Sequence, residues 1–284
     1  IYSHRQPFLI NPFLKAFTEK TGIKTNVVYS TKGLAQRLKA EGKNTPADVI
    51  LTVDVARLNV YADLGLLAKI ESDKLYKNVP PHLRSSDQTW VGLSKRSRLI
   101  VAAKSRINKS DISRIEDLAN PRWKNKICSR PGSHVYNRAL MASIIAAHGV
   151  KIAEEWSEGL VSNLARRPQG NDRAQVKAIY QGQCDIAIIN NYYFGKLKYS
   201  NDPKQRAWAK DLMLIFPNQG VNDRGAHVNI SGGGVAKYSK NKNEAIELLE
   251  FLTEASAQEL YGTINFEYPV NKEVMPTKIL QSWG

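Results

Sequence analysis

IYSHRQPFLINPFLKAFTEKTGIKTNVVYSTKGLAQRLKAEGKNTPADVILTV, residues 1–53, carries the alternation that decides the fold class. Ile1-Tyr2-Ser3 reads as the end of a strand, and His4-Arg5-Gln6-Pro7 as a turn, since proline fixes its own φ and disfavours helix in the residue before it. A helix follows over Phe8–Thr21: Phe13, Leu14 and Phe17 recur at helical spacing and Gly22 stops it. Ile23–Tyr29 alternates as a second strand. KGLAQRLKAEG is a short amphipathic helix ending at Gly42, and Ala47–Val53 is a mostly apolar third strand. A βαβαβ run this compact predicts a parallel sheet with crossover helices.

Outward from that run, Val55–Leu64 reads as a helix, and then Pro80-Pro81 and Ser85-Ser86-Asp87 mark turn-rich surface chain. Trp90–Ala103 contains a long strand, Leu99–Ala103, suited to crossing between lobes. From Lys126–Ser129 the βα rhythm resumes. Helices are expected over Tyr136–His148, Ile152–Leu164 and Arg173–Gln181, with a buried strand over Ile186–Ile189. Two asparagines and two tyrosines, Tyr192 and Tyr193, follow that strand at its carboxyl end, where open α/β sheets bind ligands. Leu212–Phe216 is a further strand, and Ser231-Gly232-Gly233-Gly234 a glycine-rich stretch leading into another. Asn243–Leu252 and Ala255–Tyr261 close the chain as helices. The expected fold is α/β, with two lobes and a ligand cleft between them.

The 284 residues suffice for two cores, and 42% hydrophobic with 24% charged content is ordinary for a globular protein. No run approaches the roughly twenty apolar residues of a membrane-spanning helix. The net charge of +15 first suggests nucleic acid. The basic residues are spread along the whole chain, however, and no RNP, zinc-finger or basic-zipper pattern accompanies them. Cys128 and Cys184 are the two cysteines. They suit free buried thiols in an intracellular protein, or one disulfide between neighbouring strands in an exported one.

Catalytic signatures are missing: no GxSxG elbow, no GxGxxG opening a helix, no phosphate loop, no HExxH and no CxxC. What remains is oxygen chemistry suited to a hard cation or an anion. Tyr192-Tyr193 is one element, and Tyr136 starts a helix after the loop PGSHV. Arg5 and Gln6 follow the first strand, and Arg96 and Arg98 lie beside the crossing strand. Taken singly, each has a plain packing explanation; together they lie at strand ends and loop-to-helix junctions, where binding groups concentrate. Adjacent tyrosines cannot face one point from a regular strand, so Tyr192-Tyr193 is expected in irregular or helix-starting backbone.

The combination resembles the periplasmic ferric-ion-binding proteins of bacterial ABC iron importers. The resemblance runs through IYSHRQPFLI, TGIKTNVVY, KGLAQRLKAEG, PADVILTVD, WVGLSKRSRLIV, NKICSRPGSHVYN, LARRPQGNDRAQVKAI, CDIAIINNYYFGK and HVNISGGGVAK, in family order over nearly the whole length. It implies a non-enzymatic, type II periplasmic solute-binding fold, monomeric, with its signal peptide removed. It also implies two doubly wound lobes with a double crossing: residues 1–98 plus about 227–265 in the first, and about 99–226 plus about 266–284 in the second. Tyr136, Tyr192 and Tyr193 match the family's iron-binding tyrosines. Some members have a His-Tyr pair after the first strand that supplies further ligands. Here Arg5-Gln6-Pro7 stands there, as in the branch where a synergistic carbonate or bicarbonate completes the site. That branch holds the anion with Arg5, Gln6 and Arg96 of the Arg96-x-Arg98 segment, with Arg98 beside it; His4 falls at a variable position.

The physical chemistry agrees with this assignment. Fe(III) is hard and favours anionic oxygen, and a phenol of pKa about 10 ionises at neutral pH only beside a stabilising cation. The resemblance also implies delivery of ferric ion to a permease driven by an ATPase. The alternatives are another solute on the same lobes (a polyamine, thiamine or a phosphonate) or a basic nucleic-acid-binding protein.

Overall fold

The computed structural model describes residues 1–283. The chain divides into two compact units, 1–95 with 230–282, and 96–229 with Trp283.

The first unit opens with β1 (Tyr2–Ser3) and α1 (Pro7–Thr21), continues through β2 (Val28–Tyr29), α2 (Leu34–Glu41), β3 (Val49–Thr52), α3 (Val55–Asp63) and α4 (Asp73–Asn78), and enters β4 (Trp90–Ala103). β1 pairs in parallel with both β2 and β3. The pleat sends Val49 and Leu51 of β3 to one face, into a core with Phe13, Phe17 and Leu248. Ile50 points the other way, among Leu34, Leu58 and Tyr61. Burial on both faces explains why β3 reads as an unbroken apolar run.

The chain leaves the first unit within β4. The second unit then adds β5 (Ile127–Cys128), α5 (Val135–Ser162), α6 (Asp172–Tyr180), β6 (Ile186–Asn190), α7 (Asn191–Lys198), α8 (Pro203–Lys210), β7 (Leu212–Ile215) and the first residues of β8 (Val228–Val235). Its strand order is β5-β6-β4-β7, with β5 parallel to β6 and the other pairs antiparallel. Leu99 and Val101 of β4 share one face with Ala187 and Ile189, while Ile100 and Ala102 share the other with Ile186 and Ile188. Cys128 and Cys184 form a disulfide, with Cα atoms 5.9 Å apart. It joins β5 to the chain entering β6.

The chain returns to the first unit within β8, which pairs antiparallel with β3. It ends with α9 (Lys242–Thr253), α10 (Ala255–Ile264) and α11 (Lys278–Gln281).

The structure departs from the sequence reading in several places. The strand expected over Ile23–Tyr29 is only Val28–Tyr29, because β1 offers just two residues for it to pair with. Helices α4 and α8 lie in chain to which the sequence reading assigned no element. The two helices expected over Tyr136–His148 and Ile152–Leu164, by contrast, are there as the two parts of α5, separated by non-helical Gly149 (φ 81°, ψ 169°). The glycine run lies inside β8 rather than before it: a Cβ on Gly232 would come within 2.6 Å of Leu58 and of the Val91 carbonyl. The tail, expected in the second lobe from residue 266, packs with the first unit as far as Ser282. Glu267 anchors it there by an ion pair with Arg5.

Candidate metal centre

The second unit gathers the three singled-out tyrosines. β6 ends at Asn190, and α7 starts at once, so Tyr192 and Tyr193 fall in its first turn. Helix-starting backbone lets neighbouring side chains share a side, and their ring centroids are 4.2 Å apart. Tyr136 comes from the first turn of α5, which His134 caps by accepting the Tyr136 N–H at 3.2 Å on Nδ1. The Tyr136 and Tyr192 hydroxyls lie 3.1 Å apart.

Cations surround this set. The Tyr136 ring has Arg130, Arg96 and Arg98 guanidiniums 5.2, 5.3 and 5.9 Å from its centroid, and Arg173 lies 5.9 Å from the Tyr193 ring. Arg96 and Arg98 both reach Tyr136 because residues two apart on a strand share a face. A small recess beside Tyr136 is lined by Arg96, Arg98, Ala139, Asn190, His227 and Asn229. Burial, then the Tyr136 and Tyr193 phenols, holds Tyr192 well above the ordinary phenol range, against the pull of Arg96. Burial, Tyr136 and Asp172 raise Tyr193 in the same direction. Without a cation of their own these two phenols therefore keep their protons. Burial and then Arg96, Arg98 and Arg224 push His227 down to about 4, so it is neutral beside the site.

Arg98, expected beside the anion, is spent differently. Its Nη1 donates to Asp172 at 2.6 Å and to Asn190 at 3.2 Å, and its Nη2 to Asn137 at 2.7 Å. Arg130 donates to the other Asp172 oxygen at 3.1 Å. Asp172, which the sequence reading gave no site role, is fully buried. It sits at the start of α6 behind Asn171, whose side chain accepts the Ala174 N–H. Gly170 shapes the approach: its φ is +69°, and a Cβ there would lie 2.8 Å from Ala174. An acid directly after an N-capping asparagine was the signal available, though it is a common one.

Arg5 and Gln6 belong to the first unit. Arg5 is buried, with Nη2 donating to Glu267 and Nη1 to Ser231, each at 2.8 Å. Ser94 also hydrogen-bonds Glu267. Gln6 is exposed and precedes α1 without capping it through its side chain. His4 hydrogen-bonds the Ser30 carbonyl at 2.7 Å and the Tyr61 hydroxyl at 3.0 Å. Among the described residues, no group of three His, Cys, Asp or Glu side chains could hold a metal ion. The oxygen donors of the second unit that converge are phenols.

Comparison with known proteins places these features in a family. Residues 13–284 match the family model described as bacterial extracellular solute-binding protein. Iron uptake protein A1 of Synechocystis sp. is 42% identical over 285 residues, covering 100% of this chain and 79% of the relative. The major ferric iron-binding protein of Neisseria meningitidis serogroup B is 31% identical over 274 residues, covering 92% of this chain and 77% of the relative. A Trichodesmium protein solved in complex with iron and citrate ligands superposes with a TM-score of 0.92 at 44% identity, over 100% of this chain and 89% of the other. These relatives are binding proteins rather than enzymes. On this evidence, the chain belongs to the bacterial extracellular solute-binding protein family.

Proposed function

We propose that the protein is a periplasmic receptor for Fe(III) that hands its cargo to an ABC permease and its ATPase. The observation that carries this reading is the Tyr136–Tyr192 hydroxyl pair at 3.1 Å with Tyr193 stacked on Tyr192. The match to iron uptake and ferric iron-binding proteins over the chain's length supports it. Tyr136, Tyr192 and Tyr193 serve as phenolate ligands. Three phenolates neutralise Fe³⁺, and the cation in turn supplies the field their ionisation needs.

A further anion that fills the remaining coordination positions adds negative charge to that neutral set, so charge closure calls for an arginine beside it. Arg96 stands over Tyr136 with a planar guanidinium that suits bidentate oxygen. Carbonate is the anion of this reading; citrate, present with iron in the Trichodesmium protein, is its competitor. Arg98 acts indirectly, because Asp172, Asn190 and Asn137 engage both its terminal nitrogens. Release follows protonation of a phenolate or reduction to Fe(II), which phenolates serve less well.

A titration with Fe(III) in bicarbonate, in citrate and in neither tests the reading. A phenolate-to-iron charge-transfer band is expected in the visible, strongest with bicarbonate and weakened in Tyr192→Phe. A protein that stays colourless and takes up no iron in all three conditions overturns it.

A further inference from the structure

The tyrosine set is assembled from elements far apart in the chain, and one buried carboxylate touches the supports of all of them. Asp172 Oδ2 accepts Arg98 Nη1 at 2.6 Å and the backbone N–H of Asn190 at 2.9 Å; Oδ1 accepts Arg130 Nη1 at 3.1 Å. Asn190 is the last residue of β6, two positions before Tyr192. Arg130 and Arg98 are two of the guanidiniums that face the Tyr136 ring, and Arg98 also holds Asn137, the residue after Tyr136.

We propose that Asp172 is the positioning residue of the metal centre, fixing through Arg98, Arg130 and Asn190 the mutual placement of Tyr136 and the Tyr192-Tyr193 turn. The side chain is 0% exposed, and those of Arg98 and Arg130 are 2% and 9% exposed. Water therefore cannot replace the carboxylate. Two guanidiniums held this close repel unless an anion lies between them. Without Asp172 they separate, and the Tyr136 ring they flank and the β6 terminus lose a common anchor. One carboxylate against two guanidiniums also leaves one positive charge in surplus beside the phenols. The trio is thus a rigid, net-positive wall rather than a neutral pair.

The inference rests on the Fe(III) reading for its affinity arm and is independent of it in a second arm. In metal-free protein, the guanidinium Nη resonances of Arg130, which donates to Asp172, should be resolved and slowly exchanging, and should merge by free rotation in Asp172→Asn. Retention of resolved signals in the variant overturns the proposal. In the metal arm, competition against a chelator such as nitrilotriacetate should show Fe(III) binding weakened about 10–100-fold in Asp172→Asn, the range for outer-shell partners of a metal site. The charge-transfer band should be displaced as well, which a loss of stability alone does not produce. Arg130→Gln should weaken binding less, and the double variant no more than Asp172→Asn alone.

Affinity within threefold of the parent with an unmoved band overturns the proposal, as do losses that multiply in the double variant. If Asp172→Asn does not fold, Arg130→Gln decides: an unchanged band and affinity overturn the proposal. If the parent protein takes up no iron, the functional reading fails, and the Arg130 resonances still decide the role of Asp172.

Discussion

Each unit has a strand that runs directly into a helix, and the two junctions solve opposite electrostatic problems. In the first unit, β1 leads through His4-Arg5-Gln6 into α1. Its cation, Arg5, is cancelled by Glu267, and its histidine, hydrogen-bonded to Ser30 and Tyr61, is held neutral by burial and the Arg57 charge. In the second, β6 leads through Asn190-Asn191 into α7. There the groups at the junction are phenols under several guanidiniums, with one buried carboxylate between two of them. The wider charge follows the same division: residues 96–229 carry 22 Lys and Arg against 11 Asp and Glu, and the rest of the chain 19 against 15. One junction is electrically closed. The other is left positive around proton-bearing oxygens, which suits a ligand set that ionises only as its cargo arrives.

The contrast breaks most visibly in the first unit. Arg5→Met strands Glu267 in a dry site, and breaking one side of a buried ion pair costs about 3–5 kcal/mol. Urea unfolding should show that loss, and Arg5→Met with Glu267→Leu should recover most of it. A single variant as stable as the parent would mean that Arg5 is not locked to Glu267.

The disulfide is the comparable lock of the second unit. It closes a loop of 56 residues, for which chain entropy gives about 4 kcal/mol. Reduction, or Cys128→Ala with Cys184→Ala, should lower stability by up to that amount. It should also loosen the tyrosine set, because β5 leads to Arg130 and Tyr136 and β6 leads to Tyr192. Iron affinity unaffected in the reduced protein would separate the lock from the site.

Tyr192→Phe sharpens the difference between the junctions. Loss of a charged inner ligand should cost at least the upper end of outer-shell effects, about 100-fold in iron affinity, or about 2.7 kcal/mol. Fold stability should change by only about 1 kcal/mol, the worth of one hydrogen bond to Tyr136. A variant with parental affinity would remove Tyr192 from the ligand set.

Much of this was legible in the sequence where the information is local. Ile186–Ile189 reads as a buried strand because both its faces are covered, and the adjacency of Tyr192 and Tyr193 called for irregular or helix-starting backbone, of which α7 supplies the second. The Arg96-x-Arg98 spacing suggested two guanidiniums on one exposed strand face; both do face Tyr136, but they are buried. What each arginine does was not legible. Asp172 lies 74 residues from Arg98 and 42 from Arg130, and a short-range pattern cannot report which cation a buried carboxylate will claim. The same holds for Arg5 and Glu267, 262 residues apart. Helix α8 is a different case: Asp202-Pro203, an N-cap followed by proline at the first helical position, was a readable start signal.

The smallest expected effect isolates the closed junction by pH. Burial and then the Arg57 charge hold His4 down to about 4 from an ordinary 6.5. The imidazole fits that state, since Nδ1–H donates to the Ser30 carbonyl while bare Nε2 accepts the Tyr61 hydroxyl. The unfolded chain takes up a proton near pH 6.5 and the folded one only near 4. Within that window the unfolded state binds more protons, so stability falls as pH falls. The loss is absent above the window and complete below it. The full shift would correspond to about 3 kcal/mol, and residual solvent contact reduces it to about 1–2 kcal/mol. His227, also pushed down to about 4, contributes in the same direction, so the informative quantity is the difference between the parent and His4→Gln across pH 4–6.5. The variant should be less stable at pH 7 and should lose less on acidification. Parallel stability curves for the two proteins would mean that His4 titrates alike folded and unfolded, and that the first junction is not closed to protons.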